Sequence, residues 1–282
     1  MKQKTPWLAY AIIAIGVITM VFPFLDMVFT AFKGPAELMS VRYRLFPDEF
    51  RFSNFQQAVR SLNMGLLFMN SMIVSFSVTG LVLLTSTLGG YALTKLEFPG
   101  RDVIFRFILA TMMFPAFLFL IPNFYIMVNF PFVNIDGGLA ATRWALILPF
   151  SVSGFGVFLM RQFIMGIPNA LLDAARIDGA SEFRIFGQIV VPMTLPALAT
   201  LAIFTFIGQW NEFIWSLLIY TVNNRLATLP VGIQMLQSHL DPTLTQALVS
   251  AGLTISVVPV FVVFVFLQKY YVRGLALSGL KE

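Results

Sequence analysis

Six long apolar runs, separated by polar segments, set the pattern of this chain. They cover residues 7–32, 64–94, 103–128, 144–163, 194–221 and 245–271. Crossing a bilayer takes about 20 mostly apolar residues in helical form. Backbone groups in hydrocarbon must be bonded within their own segment, so each run predicts a helix. Pro23, Pro115, Pro122 and Pro259 fall inside runs and predict kinks, which serve either a pathway with satisfied carbonyls or packing alone. The expected fold is an all-α integral membrane protein with six transmembrane helices in a single domain, residues 1–282. No linker, low-complexity segment or strong internal repeat interrupts it.

Composition agrees with that reading. The chain has 282 residues, 58% hydrophobic and 11% charged, whereas a soluble domain carries roughly 25% charged residues. Such a chain cannot cover a soluble surface and must use lipid as part of its solvent. The first run follows Met1-Lys2-Gln3-Lys4 and is longer than a signal-peptide core, so it predicts a retained helix. There is no cysteine, which excludes a disulfide framework and a thiolate metal site. Net charge is +5, and in a membrane protein the placement of Lys and Arg reports orientation rather than nucleic-acid binding. Eleven of the 18 fall on the side of both termini: Lys2, Lys4, Lys95, Arg101, Arg106, Arg161, Arg176, Arg184, Lys269, Arg273 and Lys281. The other seven fall opposite, five of them between Lys33 and Asn63. The bias predicts both termini in the cytoplasm, with inner loops at 95–102 and 164–193 and outer loops at 33–63, 129–143 and 222–244.

The inner loop over 168–192 is polar and charged between apolar spans. Pro168 suits the first turn of a helix. Leu171, Leu172, Ala175 and Ile177 give that helix a rough apolar face. Gly179 suits a left-handed helix end. Ser181 then caps a second helix with Glu182 in its first turn, and Phe183, Phe186 and Ile189 recur at helical spacing. The expected result is a helix–turn–helix along the membrane surface that exposes Asp173, Arg176, Asp178, Glu182 and Arg184. Docking to a soluble partner and a purely structural surface helix both fit this local pattern.

The order Asp173-Ala174-Ala175, three residues, Gly179, nine residues, Ile189, one residue, Val191-Pro192 resembles the "EAA" loop of bacterial ABC-importer permeases. Asp173 stands where that pattern has Glu and Val191 where it has Leu; both keep charge or apolarity. The resemblance extends along the chain to the carbohydrate branch, in layout like the second permease of maltose-type importers. It includes Phe22-Pro23-Phe24-Leu25, Phe68-Met69-Asn70-Ser71, Gly90-Tyr91-Ala92-Leu93 and Phe98-Pro99-Gly100-Arg101. Further on come Trp210-Asn211-Glu212-Phe213, Thr228-Leu229-Pro230-Val231-Gly232 and a looser match over 274–281.

The resemblance implies a type I importer permease that pairs with a second permease subunit and rests on two copies of an ATP-binding subunit. An extracytoplasmic solute-binding protein delivers a carbohydrate. Asp173, Ala174, Ala175, Arg176, Asp178, Gly179, Ser181 and Glu182 then belong to the coupling helix that sits on the ATPase. ATP and Mg belong to that partner, and this chain is expected to bind no cofactor, metal or nucleic acid and to carry no enzyme activity. The absence of Gly-x-x-x-x-Gly-Lys-Ser/Thr from the chain fits a separate ATPase.

Candidate solute contacts are Asn70, Tyr125, Asn129, Trp210 and Asn211, which offer amides and ring faces; in a chain 15% aromatic such residues also occur near a pathway by chance. Asp26 and Glu212 are intramembrane carboxylates, so an ion-coupled secondary transporter is the alternative. Both fall in the outer halves of their spans, which fits capping or a watery vestibule better. An intramembrane enzyme would need paired carboxylates or histidines at ligand spacing, and His239 is the only histidine. The resemblance implies that the loop with Leu229-Pro230, a helical stretch over 231–239 and Asp241-Pro242 meets the binding protein; a plain interfacial helix also fits it. The Ser278–Glu282 tail is either frayed or extends between ATPase subunits.

Overall fold

The computed structural model describes residues 7–61, 63–130, 136–239 and 242–278, with side chains throughout except at 237–239, 242–244 and 270–278. Expectations for Lys2, Lys4, Asp241, the His239 side chain, the Ser278 side chain and the 279–282 tail lie outside the described residues. Every regular element among the described residues is helical. Three helices cross a membrane unbroken by length and composition: Trp7–Thr30, Met64–Lys95 and the Thr245–Lys269 part of Pro242–Ser278.

The other three runs are bent pairs, where single helices were expected. Arg101–Thr111 meets Ala116–Val128 at 95°, Trp144–Phe150 meets Gly154–Met165 at 46°, and at the head of the fifth run the loop segment Glu182–Met193 meets Leu195–Trp210 at 77°. Proline chemistry accounts for the positions. Pro115 ends the non-helical stretch of the third run and biases Phe114 away from helical geometry. Pro149 sits in the 3₁₀ turn before the second break. Pro192 and Pro196 flank the third bend, where the Thr194 hydroxyl donates to the Val190 carbonyl at 2.9 Å. Pro23 and Pro259, by contrast, lie inside continuous helices.

The fifth run breaks again at Asn211–Phe213 before Ile214–Tyr220. Glu212 caps that short helix. Its carboxylate accepts from the Trp215 amide at 2.8 Å, the Ser216 amide at 2.9 Å and the Ser216 hydroxyl at 3.0 Å. The carboxylate thus satisfies donors that a helix start leaves free.

The chain divides into two compact units, Met1–Leu67 with Leu229–Val258 and Phe68–Thr228 with Pro259–Glu282. In the first, the helix Leu229–His239 buries Leu229, Val231, Ile233 and Leu236. Lys33 is buried there too; it donates to the Arg44 carbonyl at 2.7 Å and lies 3.9 Å from the Asp26 carboxylate. Tyr43 donates to the same Asp26 at 2.9 Å, so this carboxylate ties the end of the first span to its loop.

In the second unit the core gathers Val74, Val78, Leu146, Met160, Ile164 and Leu201. The second span approaches Gly154–Met165 closely at Gly90, where a Cβ would stand 2.9 Å from both the Met160 Cβ and the Arg161 amide. Close backbone approach at a small residue is how helices associate where lipid removes the hydrophobic drive.

Candidate functional site

The 168–192 loop folds as its local chemistry dictates. Ala170, Leu171, Leu172, Ala174, Ala175 and Arg176 are strong helix formers, and they build the loop helix Asn169–Ile177. Pro168 stands just before it in extended geometry, one position earlier than expected. The helix closes with a full Schellman motif: the Gly179 amide donates to the Arg176 carbonyl at 3.0 Å and the Ala180 amide to the Ala175 carbonyl at 2.9 Å. Gly179 takes φ +81°, the left-handed geometry this ending requires. Ser181 caps Glu182–Ile185, its hydroxyl accepting from the Arg184 amide at 3.4 Å, as the sequence suggested. A π turn over Phe186–Val190 follows and leads into the 77° bend.

The charges of the loop form one network. Arg176 donates through Nη1 to Asp173 Oδ1 at 2.8 Å, through Nε to Glu182 Oε1 at 2.8 Å and through Nη2 to Glu182 Oε2 at 3.5 Å. The guanidinium thereby locks the two helices of the loop across the Gly179 turn. Glu182 lies in the loop, outside the spans, and Arg176 first, then Tyr91, hold its carboxyl below the usual carboxylate range. The same carboxylate pushes Arg176 up, so that side chain stays charged throughout. These groups are partly exposed, so the network sets geometry more than it adds stability.

Two residues of the second span hold this loop. Tyr91 donates its hydroxyl to Glu182, and its ring packs 5.6 Å from Phe186. Lys95 donates to the Ile167 carbonyl at 2.6 Å and to Asn169 Oδ1 at 2.7 Å. Neither stood out in the sequence as a loop partner. A Tyr and a Lys four apart at the end of a span is an interfacial pattern that marks them as anchors but not what they anchor.

The expected exposure holds for Asp173, Arg176, Asp178, Glu182 and Arg184. Ala174 is exposed and Ala175 half-buried. The expected apolar face is only partly buried: Leu172 and Ile185 are 1% exposed, whereas Ile177 is 86% and Phe183 84% exposed. Ile177 and Phe183 flank the turn with their side chains open, so the apolar positions that recur at helical spacing are not buried as one face.

The pathway candidates occupy different environments. Asn70 is buried; its amide donates to the Arg225 carbonyl at 2.8 Å and the Ala227 carbonyl at 2.9 Å, and its Oδ1 accepts from Arg143 Nε at 3.2 Å. Trp210 is 2% exposed, stacked on Phe206 and edge-on to Phe68. Tyr125 is exposed. Asn129 donates to the Tyr125 carbonyl and Asn211 to the Ile207 carbonyl, both at 2.9 Å, one turn back along their own helices.

Comparison with known proteins places this architecture. A family model described as binding-protein-dependent transport system inner membrane component matches residues 85–277. An arabinooligosaccharides transport system permease protein of Halalkalibacterium halodurans is 34% identical over 100% of both chains. A diacetylchitobiose uptake system permease protein of Streptomyces coelicolor is 33% identical over 93% of this chain and 84% of its own. Among solved structures, a bacterial ABC transporter involved in import of the acidic polysaccharide alginate superposes with TM-score 0.79 at 22% identity. That match covers 94% of this chain and 95% of the other, and it speaks for the fold.

Proposed function

The chain belongs to the family of binding-protein-dependent transport system inner membrane components, and we propose that it is the permease subunit of an ATP-driven importer for a carbohydrate. Multi-pass membrane insertion follows from the family and the apolar helices. Relatives named for arabinooligosaccharides and diacetylchitobiose support a sugar or oligosaccharide as the solute.

In this reading both termini and the 168–192 loop face the cytoplasm, and the whole chain acts as one membrane domain. It pairs with a second permease subunit, and two ATP-binding subunits carry the ATP and Mg. A solute-binding protein docks outside, with the Leu229–His239 region as one of its contacts. The observation that carries the reading is the loop itself. Its two helices are locked by Arg176 between Asp173 and Glu182, and Ile177 and Phe183 stand exposed beside the turn. Two bare apolar side chains on a charged, stiffened turn suit burial in a groove of a soluble partner. A ligand that biases that partner between two states biases this loop with it.

The test is purification with the co-encoded proteins, then ATP hydrolysis in liposomes across a panel of binding-protein-delivered sugars. An ATPase that co-purifies and is stimulated by a sugar supports the assignment. An ATPase that never associates, or hydrolysis indifferent to every sugar, overturns it.

A further inference from the structure

We infer that Tyr91 and Lys95 are positioning residues that carry displacement of the docking loop into the second span, and that Glu182 serves this internal joint rather than the surface offered to the ATPase. The inference rests on the reading of the loop as a docking element.

Tyr91 and Lys95 lie four positions apart on Met64–Lys95 and therefore on one face, about 6 Å apart along the axis at 1.5 Å per residue. That single turn grips the starts of both loop helices. Lys95 takes the entry, through the Ile167 carbonyl and Asn169 Oδ1 at the first position of the loop helix. Tyr91 takes the start of the second loop helix, through Glu182, and Glu182 passes the connection to Arg176 and Asp173 on the first helix. A movement of either loop helix is thus referred to the same turn of the same span.

Apolar contacts alone would not do this. Leu172 and Ile185 are buried beneath the loop, but hydrophobic attraction has no direction and tolerates sliding. Charge-assisted hydrogen bonds are short and directional and fix register. Tyr91 is only 4% exposed, so its ring is held in place while its hydroxyl reaches Glu182 at the loop surface. Gly90, the neighbouring residue, packs directly on Met160 and Arg161, which sets the gripped turn closely against Gly154–Met165. The Glu182 carboxylate is already committed to Arg176 and Tyr91, whereas Ile177 and Phe183 have their side chains open.

The experiment uses the complete transporter in proteoliposomes, with Tyr91→Phe, Lys95→Met and the double variant, and Lys95→Arg as the conservative control. Three quantities are read: ATPase subunit co-purified per permease, ATP hydrolysed, and solute taken up per ATP. The expected result is unchanged co-purification and continued hydrolysis in all variants. Solute per ATP falls at least about five-fold in the double variant, the lower end of usual coupling factors, and Lys95→Arg restores most of the single-site loss. A structural loss of protein would lower uptake and hydrolysis together and leave their ratio unmoved. An unchanged ratio in the double variant overturns the inference, and so does loss of the ATPase from these variants, which would put both residues in docking. Failure of the unmodified chain to associate with any ATPase would instead strike the functional assignment itself.

Discussion

The Tyr91 hydroxyl donates to the Glu182 carboxylate, joining the second membrane span to the second helix of the polar loop. Through Glu182 the bond reaches Arg176 and Asp173 on the first helix. The loop is therefore a braced element, and several consequences can be measured.

Glu182 is held below its ordinary value near 4.5. A lowered folded value means its contribution to loop order is complete above the ordinary carboxylate range and is lost as pH falls through the folded value. Because the chain has no cysteine, a single spin label introduced by Asp178→Cys reports on the turn alone. The label should stay immobile as pH drops from 7 past 4.5 and loosen only below that. With Arg176→Met added, loosening should begin at higher pH. Superimposable curves would remove Arg176 as the cause.

Gly179 sits at φ +81° with open space around the position of a Cβ. Substitution there costs backbone strain rather than collision, about 1–2 kcal/mol for an ordinary L residue. Gly179→Val should displace the turn and lower solute uptake per ATP hydrolysed, while Gly179→Asn, better tolerated in left-handed geometry, should be milder. Unchanged uptake in Gly179→Val would count against the docking role of the turn.

Gly90 is the opposite case, a helical position without room. Its Cβ would meet the Met160 Cβ and the Arg161 amide at 2.9 Å. Overpacking of this kind costs typically about 1–3 kcal/mol. Gly90→Leu should lower the thermal unfolding midpoint of the detergent-solubilised complex by several degrees, whereas Gly80→Leu, where nothing stands within 4 Å of the added Cβ, should leave it near the parent value. Equal midpoints for the two would contradict the close approach.

Asn70 holds two backbone carbonyls and accepts from Arg143. Asn70→Ala leaves Arg225 and Ala227 carbonyls without that partner, a cost of about 1–3 kcal/mol for buried groups. The expected outcome is lower thermal stability with an unchanged KM for solute in the protein that remains folded. A KM shift at unchanged stability would return Asn70 to the solute pathway.

The readability of these features from sequence follows their range. The six spans were legible because each is a continuous apolar run. The turn was legible because Gly179 and Ser181 are local signals whose reasons lie within four residues. The 95° bend near Pro115 was not: the proline marks a weak point, but the angle depends on what packs around it. Ile177 and Phe183 were misplaced because helical spacing identifies a face without saying whether lipid, core or a partner covers it. The link from Tyr91 to Glu182 joins residues 91 positions apart in sequence, and nothing in either residue's neighbourhood names the other. Glu212 was legible as a capping or vestibule carboxylate rather than a coupling site, and its three donors within the next helix turn make it a cap; the break at Asn211–Phe213 that creates the helix start was not legible.

The central claim is that this chain moves solute only when a separate nucleotide-driven subunit moves its polar loop. The most direct measurement is uptake of a labelled oligosaccharide into proteoliposomes that carry the permease pair and the binding protein, with and without the ATP-binding subunit. The account predicts uptake only with that subunit and ATP present, and none under a proton or sodium gradient. Accumulation driven by an ion gradient without ATP would contradict it.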